Sequence, residues 1–135
     1  MKIAQATALR SKDISTKVGC VIVDENDRIV STGYNGFVSK CDESLMTFER
    51  PLKYYLTIHA EMNALLYSRR SLDGCTLYTT HSPCDNCLKH ILQAGIRMIY
   101  FEDDSLVERF TEDQRTAIRL LKEAVPSCKV EKCDG

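Results

Sequence analysis

CTLYTTHSPCDNCLKHILQAGIRMIYF, residues Cys75 to Phe101, is the stretch whose pattern sets the architecture. Cys75 to Thr80 reads as a strand, and Ile96 to Phe101 reads as another. Between them, Cys84 to Ala94 has the spacing of a helix, with Leu88, Ile91 and Leu92 facing a core and Gly95 at its C-terminal end. A helix between two strands is what parallel pairing requires, because a tight turn cannot return the chain to the same end of a sheet. The expectation is a mixed α/β fold with helices covering the sheet.

Working outward, Ile29 to Tyr34 and Val18 to Val23 flank the polar run Asp24-Glu25-Asn26-Asp27 and read as a hairpin, both strands buried. Ile3 to Arg10 precedes it as a helix. Asn35-Gly36 opens a polar loop that runs to about Lys53, long for a compact domain and of a kind that often covers active sites. Ile58 to Ser68, with the apolar set Met62, Leu65 and Leu66, reads as a helix starting at the His-Ala-Glu segment. Downstream, Glu112 to Ala124 carries Ala117, Leu120, Leu121 and Ala124 at helical spacing, and the tail from Pro126 either adds a short strand at Lys129-Val130-Glu131 or frays. With 135 residues and no linker or repeat, residues 1–135 read as one domain.

Chemistry concentrates in His59-Ala60-Glu61 and Pro83-Cys84-Asp85-Asn86-Cys87. If Pro83 opens a helix, Cys84 and Cys87 share one face of its first turn, where free N–H groups and the helix dipole favour thiolate. With His59 they make three ligands for Zn²⁺ and leave the fourth tetrahedral position to water, the arrangement of a catalytic rather than a structural zinc. Bound water then has its pKa lowered from roughly 15.7 to about 7. Glu61 sits beside the metal without ligating it and is free to move protons. A lone C-x-x-C is more often a structural knuckle or a redox pair. His81 and His90 flank this one without the spacing of a second ligand pair, and a redox pair would not explain His-Ala-Glu.

A net charge of −1 argues against a polyanion-binding surface, so nucleic acid is not the expected partner. The apolar runs are short, with neither a signal segment nor a membrane span, which points to a reducing cytoplasm for the seven cysteines. Cys20 and Cys75 read as small buried residues, and Cys128-x₄-Cys133 as a flexible reduced tail.

Together these residues resemble the cytidine and deoxycytidylate deaminase superfamily, whose H-x-E…P-C-x-x-C signature they match, and in particular its deoxycytidylate deaminase branch. The resemblance runs from about Arg10 to Ala124. It is carried by Arg10-Ser11-Lys12-Asp13, Val18 to Val23, Gly33-Tyr34-Asn35-Gly36, His59 to Ala64, Pro83 to Cys87 and Gln93-Ala94-Gly95-Ile96. It implies a three-layer α/β/α fold around a mixed sheet of about five strands. It also implies one zinc ion per chain on His59, Cys84 and Cys87, with Glu61 as the proton-transferring residue. The reaction implied is hydrolytic deamination of a deoxycytidine nucleotide, dCMP to dUMP, in deoxynucleotide supply. The backbone N–H of Ala60 would hold the pyrimidine O2 and Asn35 the sugar, while Ser15, Lys17 and Arg109 stand where relatives place phosphate-binding groups.

Relatives of this kind form homo-oligomers, dimers or hexamers, and respond to dCTP and dTTP through the loop matching Phe37 to Glu43. The chain departs from the pattern where Ser15 replaces an arginine of some members, where no base-stacking tyrosine stands near Ser105, and where the effector loop lacks a proline. Alternatives left open are dCTP as substrate, another base or tRNA adenosine, and a zinc-containing nucleotide sensor without turnover.

Overall fold

The computed structural model describes residues 1–133. Its strands are β1 (Gly19–Val23), β2 (Ile29–Tyr34), β3 (Thr76–His81), β4 (Met98–Asp103) and β5 (Lys129–Lys132). Its helices are α1 (Lys2–Ala8), α2 (Lys53–Leu56), α3 (Ala60–Tyr67), α4 (Asp85–Gln93) and α5 (Glu112–Ala124), with 3₁₀ turns at Glu43–Leu45 and Ser105–Arg109. The five strands form one mixed sheet in the order β2-β1-β3-β4-β5. β1 runs antiparallel to β2 and β3, whereas β4 and β5 run parallel to β3 and to each other. The Cys75–Phe101 stretch is therefore the crossover its pattern predicts, with α4 returning the chain from β3 to β4.

Strand alternation sends side chains to two faces, and the faces are covered unequally. Cys20, Ile22, Leu77 and Ile99 pack against Ala60 and Ala64 of α3, Leu88 and Ile91 of α4, and Ile118 and Leu121 of α5. On the other face, Val21 and Val23 meet Ala4 of α1, with Met1 and Tyr78 at the edge of that smaller cluster. Cys75 and Cys128 are buried in the larger core. The tail is thus an ordered strand rather than frayed chain: Val130 pairs with Ile99, and Cys128 anchors its start. All seven cysteines are free thiols.

Two glycines seat the helices on the hairpin. A Cβ at Gly33 would lie 2.3 Å from the Ala60 carbonyl oxygen and 2.5 Å from the Ala64 nitrogen; one at Gly19 would lie 2.0 Å from the Ala4 oxygen. Each helix thus approaches the sheet backbone to backbone, with alanines four apart at the contact. This close seat sets the core face of α3. Ala60, Glu61 and Ala64 are its buried residues, Met62 and Leu65 are half-buried, and Leu66 is 70% exposed. β2 is likewise not buried throughout. As an edge strand it hides Ser31 and Gly33 under α3 and leaves Ile29, Thr32 and Tyr34 exposed. No helix among the described residues is long and apolar enough to cross a membrane.

Candidate active site

Both helices that carry the motif residues start at one end of the sheet. β3 ends at His81, and the chain passes through Ser82 and Pro83 to Cys84, the extended residue that caps α4 and whose Sγ accepts the Cys87 N–H at 3.4 Å. His59 caps α3 in the same extended conformation. Its Nδ1 lies 3.5 Å from Cys84 Sγ and 3.3 Å from Cys87 Sγ, and the three atoms lie within 4.8 Å of one another. Two sulfurs and an imidazole nitrogen are a donor set that suits zinc, and three protein ligands leave a tetrahedral position open. Among the described residues this is the one such cluster.

The protonation pattern fits a cation. Cys84 is held down to about 4, chiefly by the hydrogen bond from the Cys87 thiol and with help from His59 and the Cys87 N–H, against its burial. Cys87 is pushed well up by that same bond, by burial and by the carboxylate of Glu61. His59 is raised, mainly through its bond to Cys84 and against its burial. Glu61 sits in the first turn of α3, 4% exposed, and accepts from Thr79 Oγ1 at 3.2 Å. Burial raises its carboxyl, with His59 opposing. A buried acid beside the cluster is poised to exchange protons.

The cluster floors a cavity of about 790 Å³. Asn35, Ala60, Glu61 and Arg109 line it; Ser15 and Lys17 do not. Lys17 is exposed, while Ser15 Oγ accepts from Lys53 Nζ at 2.8 Å and donates to Asp13 at 3.0 Å. Asn35 is heavily committed: Oδ1 accepts from the Val18 N–H at 2.9 Å, and Nδ2 donates to the Thr16 carbonyl at 2.9 Å and to Asp13 at 3.4 Å. His81 also lines the cavity. Its Nδ1 lies 2.9 Å from Thr80 Oγ1, and burial lowers its pKa against the pull of Asp103.

A family model for the cytidine and deoxycytidylate deaminase zinc-binding region matches residues 1–103. The chain belongs to this family. Human deoxycytidylate deaminase is 37% identical over 129 residues, covering 90% of this chain and 70% of its own. A deaminase of the luxG 3′ region in Aliivibrio fischeri is 46% identical over 99 residues, or 73% of this chain and 67% of its own. The crystal structure of the dCMP deaminase of cyanophage S-TIM5, in complex with dCMP and dUMP, superposes with a TM-score of 0.73 at 33% identity. It covers 98% of this chain and 92% of that one. The chain is thus a hydrolytic deaminase of the α/β fold its sequence led us to expect, with a family site for one zinc ion.

Sequence reading missed several residues of the deaminase cavity. Asp13 and Lys53 form an ion pair of 2.8 Å with side chains 0% and 9% exposed. Burial raises the Asp13 carboxyl, but hydrogen bonds from Lys53, Ser15 and Thr16 outweigh it and hold it below the ordinary value. Asp13 was visible in the matching Arg10-Ser11-Lys12-Asp13 segment, whereas nothing local marks Lys53, which ends a polar loop. The 3₁₀ turn that carries Arg109 to the rim was missed because runs this short leave no hydrophobic period.

Proposed function

We propose that this deaminase hydrolyses dCMP to dUMP and ammonia, in one domain spanning residues 1–135. The observation that carries the reading is Glu61, buried and acid-shifted beside the His59, Cys84 and Cys87 cluster at the floor of a nucleotide-sized cavity. His59, Cys84 and Cys87 would hold a zinc ion there, which would supply the Lewis acidity that makes water nucleophilic at neutral pH. Glu61 takes a proton from the attacking water and gives it to N3 of the cytosine ring, then takes the remaining proton from the new C4 hydroxyl and passes it to the amino group, which leaves as ammonia. Water enters at C4, the C4–N4 bond breaks, and the sum is dCMP + H₂O → dUMP + NH₃.

The remaining residues bind and orient. Ala60 opens α3, so its N–H has no acceptor within the helix and is offered to the pyrimidine O2. One Oδ1 lone pair of Asn35 is used by Val18, which leaves a second to accept a sugar hydroxyl. Arg109 supplies positive charge for the phosphate. Ser15 acts indirectly, through its bonds to Lys53 and Asp13, and Lys17 contributes only long-range charge. The protein works in the cytoplasm, as its free thiols favour, in deoxynucleotide supply. It assembles as a homo-oligomer, dimer or hexamer, which would cover exposed apolar residues such as Ile14, Leu45 and Tyr55. The Phe37–Glu43 loop is the site offered for dCTP and dTTP as effectors.

The test is ammonia release by zinc-loaded protein from dCMP, dCTP, CMP, deoxycytidine and cytidine, each with and without dCTP and dTTP, alongside sedimentation. Turnover of dCMP above the others is the expected result. Silence on every cytosine compound would overturn the reading, and hyperbolic kinetics blind to dCTP and dTTP would remove the effector role.

A further inference from the structure

The charges lining the cavity are equal in number but not all paired, and the unpaired ones include a residue that sequence reading passed over. Its formal cations are Arg50, Lys53 and Arg109, and its acids are Asp13, Glu61 and Asp85. Lys53 is spent on Asp13 at 2.8 Å. Asp85 accepts from Gln114 Nε2 at 2.9 Å and lies in the first turn of α4, where the helix dipole welcomes an anion. Glu61 belongs to the floor. Arg50 and Arg109 remain: among the described residues neither guanidinium makes an ion pair or donates a hydrogen bond. They reach the cavity from separate segments, Arg50 ahead of α2 and Arg109 at the end of the 3₁₀ turn Ser105–Arg109. Arg50 is further placed by Tyr54, another lining residue, whose ring centroid lies 5.8 Å from its guanidinium carbon.

We propose that Arg50 joins Arg109 as a two-arginine clamp that selects a phosphate monoester. This rests on the dCMP deaminase reading and adds to it the residue that recognises the phosphate and the charge state it accepts. A monoester carries about −1.5 to −2 at pH 7, which two guanidiniums match. Their planar forks suit its oxygens, and a nucleoside would leave both cations without a partner. A triphosphate adds further negative charge for which the cavity holds no third free cation, since Lys53 is already neutralised. The clamp therefore favours dCMP over both deoxycytidine and dCTP.

The experiment uses zinc-loaded full-length protein. Arg50→Ala is expected to raise KM for dCMP and Kd for dUMP by roughly 10- to 100-fold, the loss typical of a hydrogen bond to a charged group. Selectivity, the kcat/KM ratio of dCMP to deoxycytidine, should fall by the same factor, and Arg50→Lys should recover part of it. Arg28→Ala, which removes a cation at the exposed β1–β2 turn, should leave that ratio at the wild-type value. Wild-type KM and dUMP affinity in Arg50→Ala would overturn the clamp, as would equal losses on dCMP and deoxycytidine. A wild-type preference for dCTP would overturn the charge match. Wild-type protein that neither deaminates dCMP nor binds dUMP would overturn the functional reading and the clamp with it, whereas an active wild type with an unaffected variant overturns the clamp alone.

Discussion

The floor of the cavity and its rim are held in place by different kinds of structure. At the floor, His59 and Cys84 cap α3 and α4, and Glu61 and Cys87 lie in their first turns. Both helices are anchored in the larger core, and α3 is seated on β2 at Gly33. Helix starts thus fix the three candidate metal ligands and Glu61. The rim is made of the segments between α1 and β1, between β2 and α3, and after β4, which hold only loops and short helical turns. Two side-chain devices tie the first two together: the buried Lys53–Asp13 pair and the amide of Asn35. On the proposed reading, reaction chemistry belongs to helix starts, and substrate choice to side chains brought together from separate segments.

Glu61→Gln should break the comparison on the floor side alone. Its kcat should fall by roughly 10²–10⁴-fold, the usual worth of a positioned acid or base, while zinc content and KM hold. A wild-type rate would remove Glu61 from proton transfer. Lys53→Met strikes the rim and leaves the Asp13 carboxylate buried without its cation. Breaking such a pair costs about 3–5 kcal/mol, to be read from urea unfolding, and KM should suffer more than kcat. If kcat falls and KM holds, floor and rim are not separable in this way.

Gly33→Ala probes the seat beneath the floor. Its added methyl would meet α3 backbone, and overpacking of this kind costs about 1–3 kcal/mol. Because α3 carries both His59 and Glu61, activity should decline along with the melting temperature. Unchanged activity would show that the floor tolerates a displaced helix.

The smallest effect is a pH dependence. The folded Asp13 carboxyl titrates below its ordinary value of 3.8, so its pairing stabilises the fold fully above that pH and is lost as pH falls through the folded value. The stability gap between wild type and Lys53→Met should be constant near neutrality and narrow in this acid window. A gap independent of pH would mean that Lys53 acts through packing rather than charge.

Much of this was legible in the chain because it is local. The α4 crossover, the hairpin, and the cysteines three residues apart all express short-range periodicity, and Glu112–Ala124 was readable from its own helical spacing. The His-Ala-Glu and Cys-x-x-Cys segments, each at a helix start, already specified a metal site and its acid. What needed the tertiary structure was everything settled by neighbours distant in sequence. Leu66 belongs to a helical apolar pattern, yet faces solvent because Gly33 and two alanines draw the other face of α3 onto the sheet. Cys128 is core because β5 adds to β4 in parallel. Lys53 and Asp13 are far apart in the chain, so only folding could pair them, cancel one of three cavity cations and leave Arg50 and Arg109 unpaired at the cavity. Periodicity and spacing determine which elements form, whereas the burial and pairing of charge depend on what surrounds each group in space.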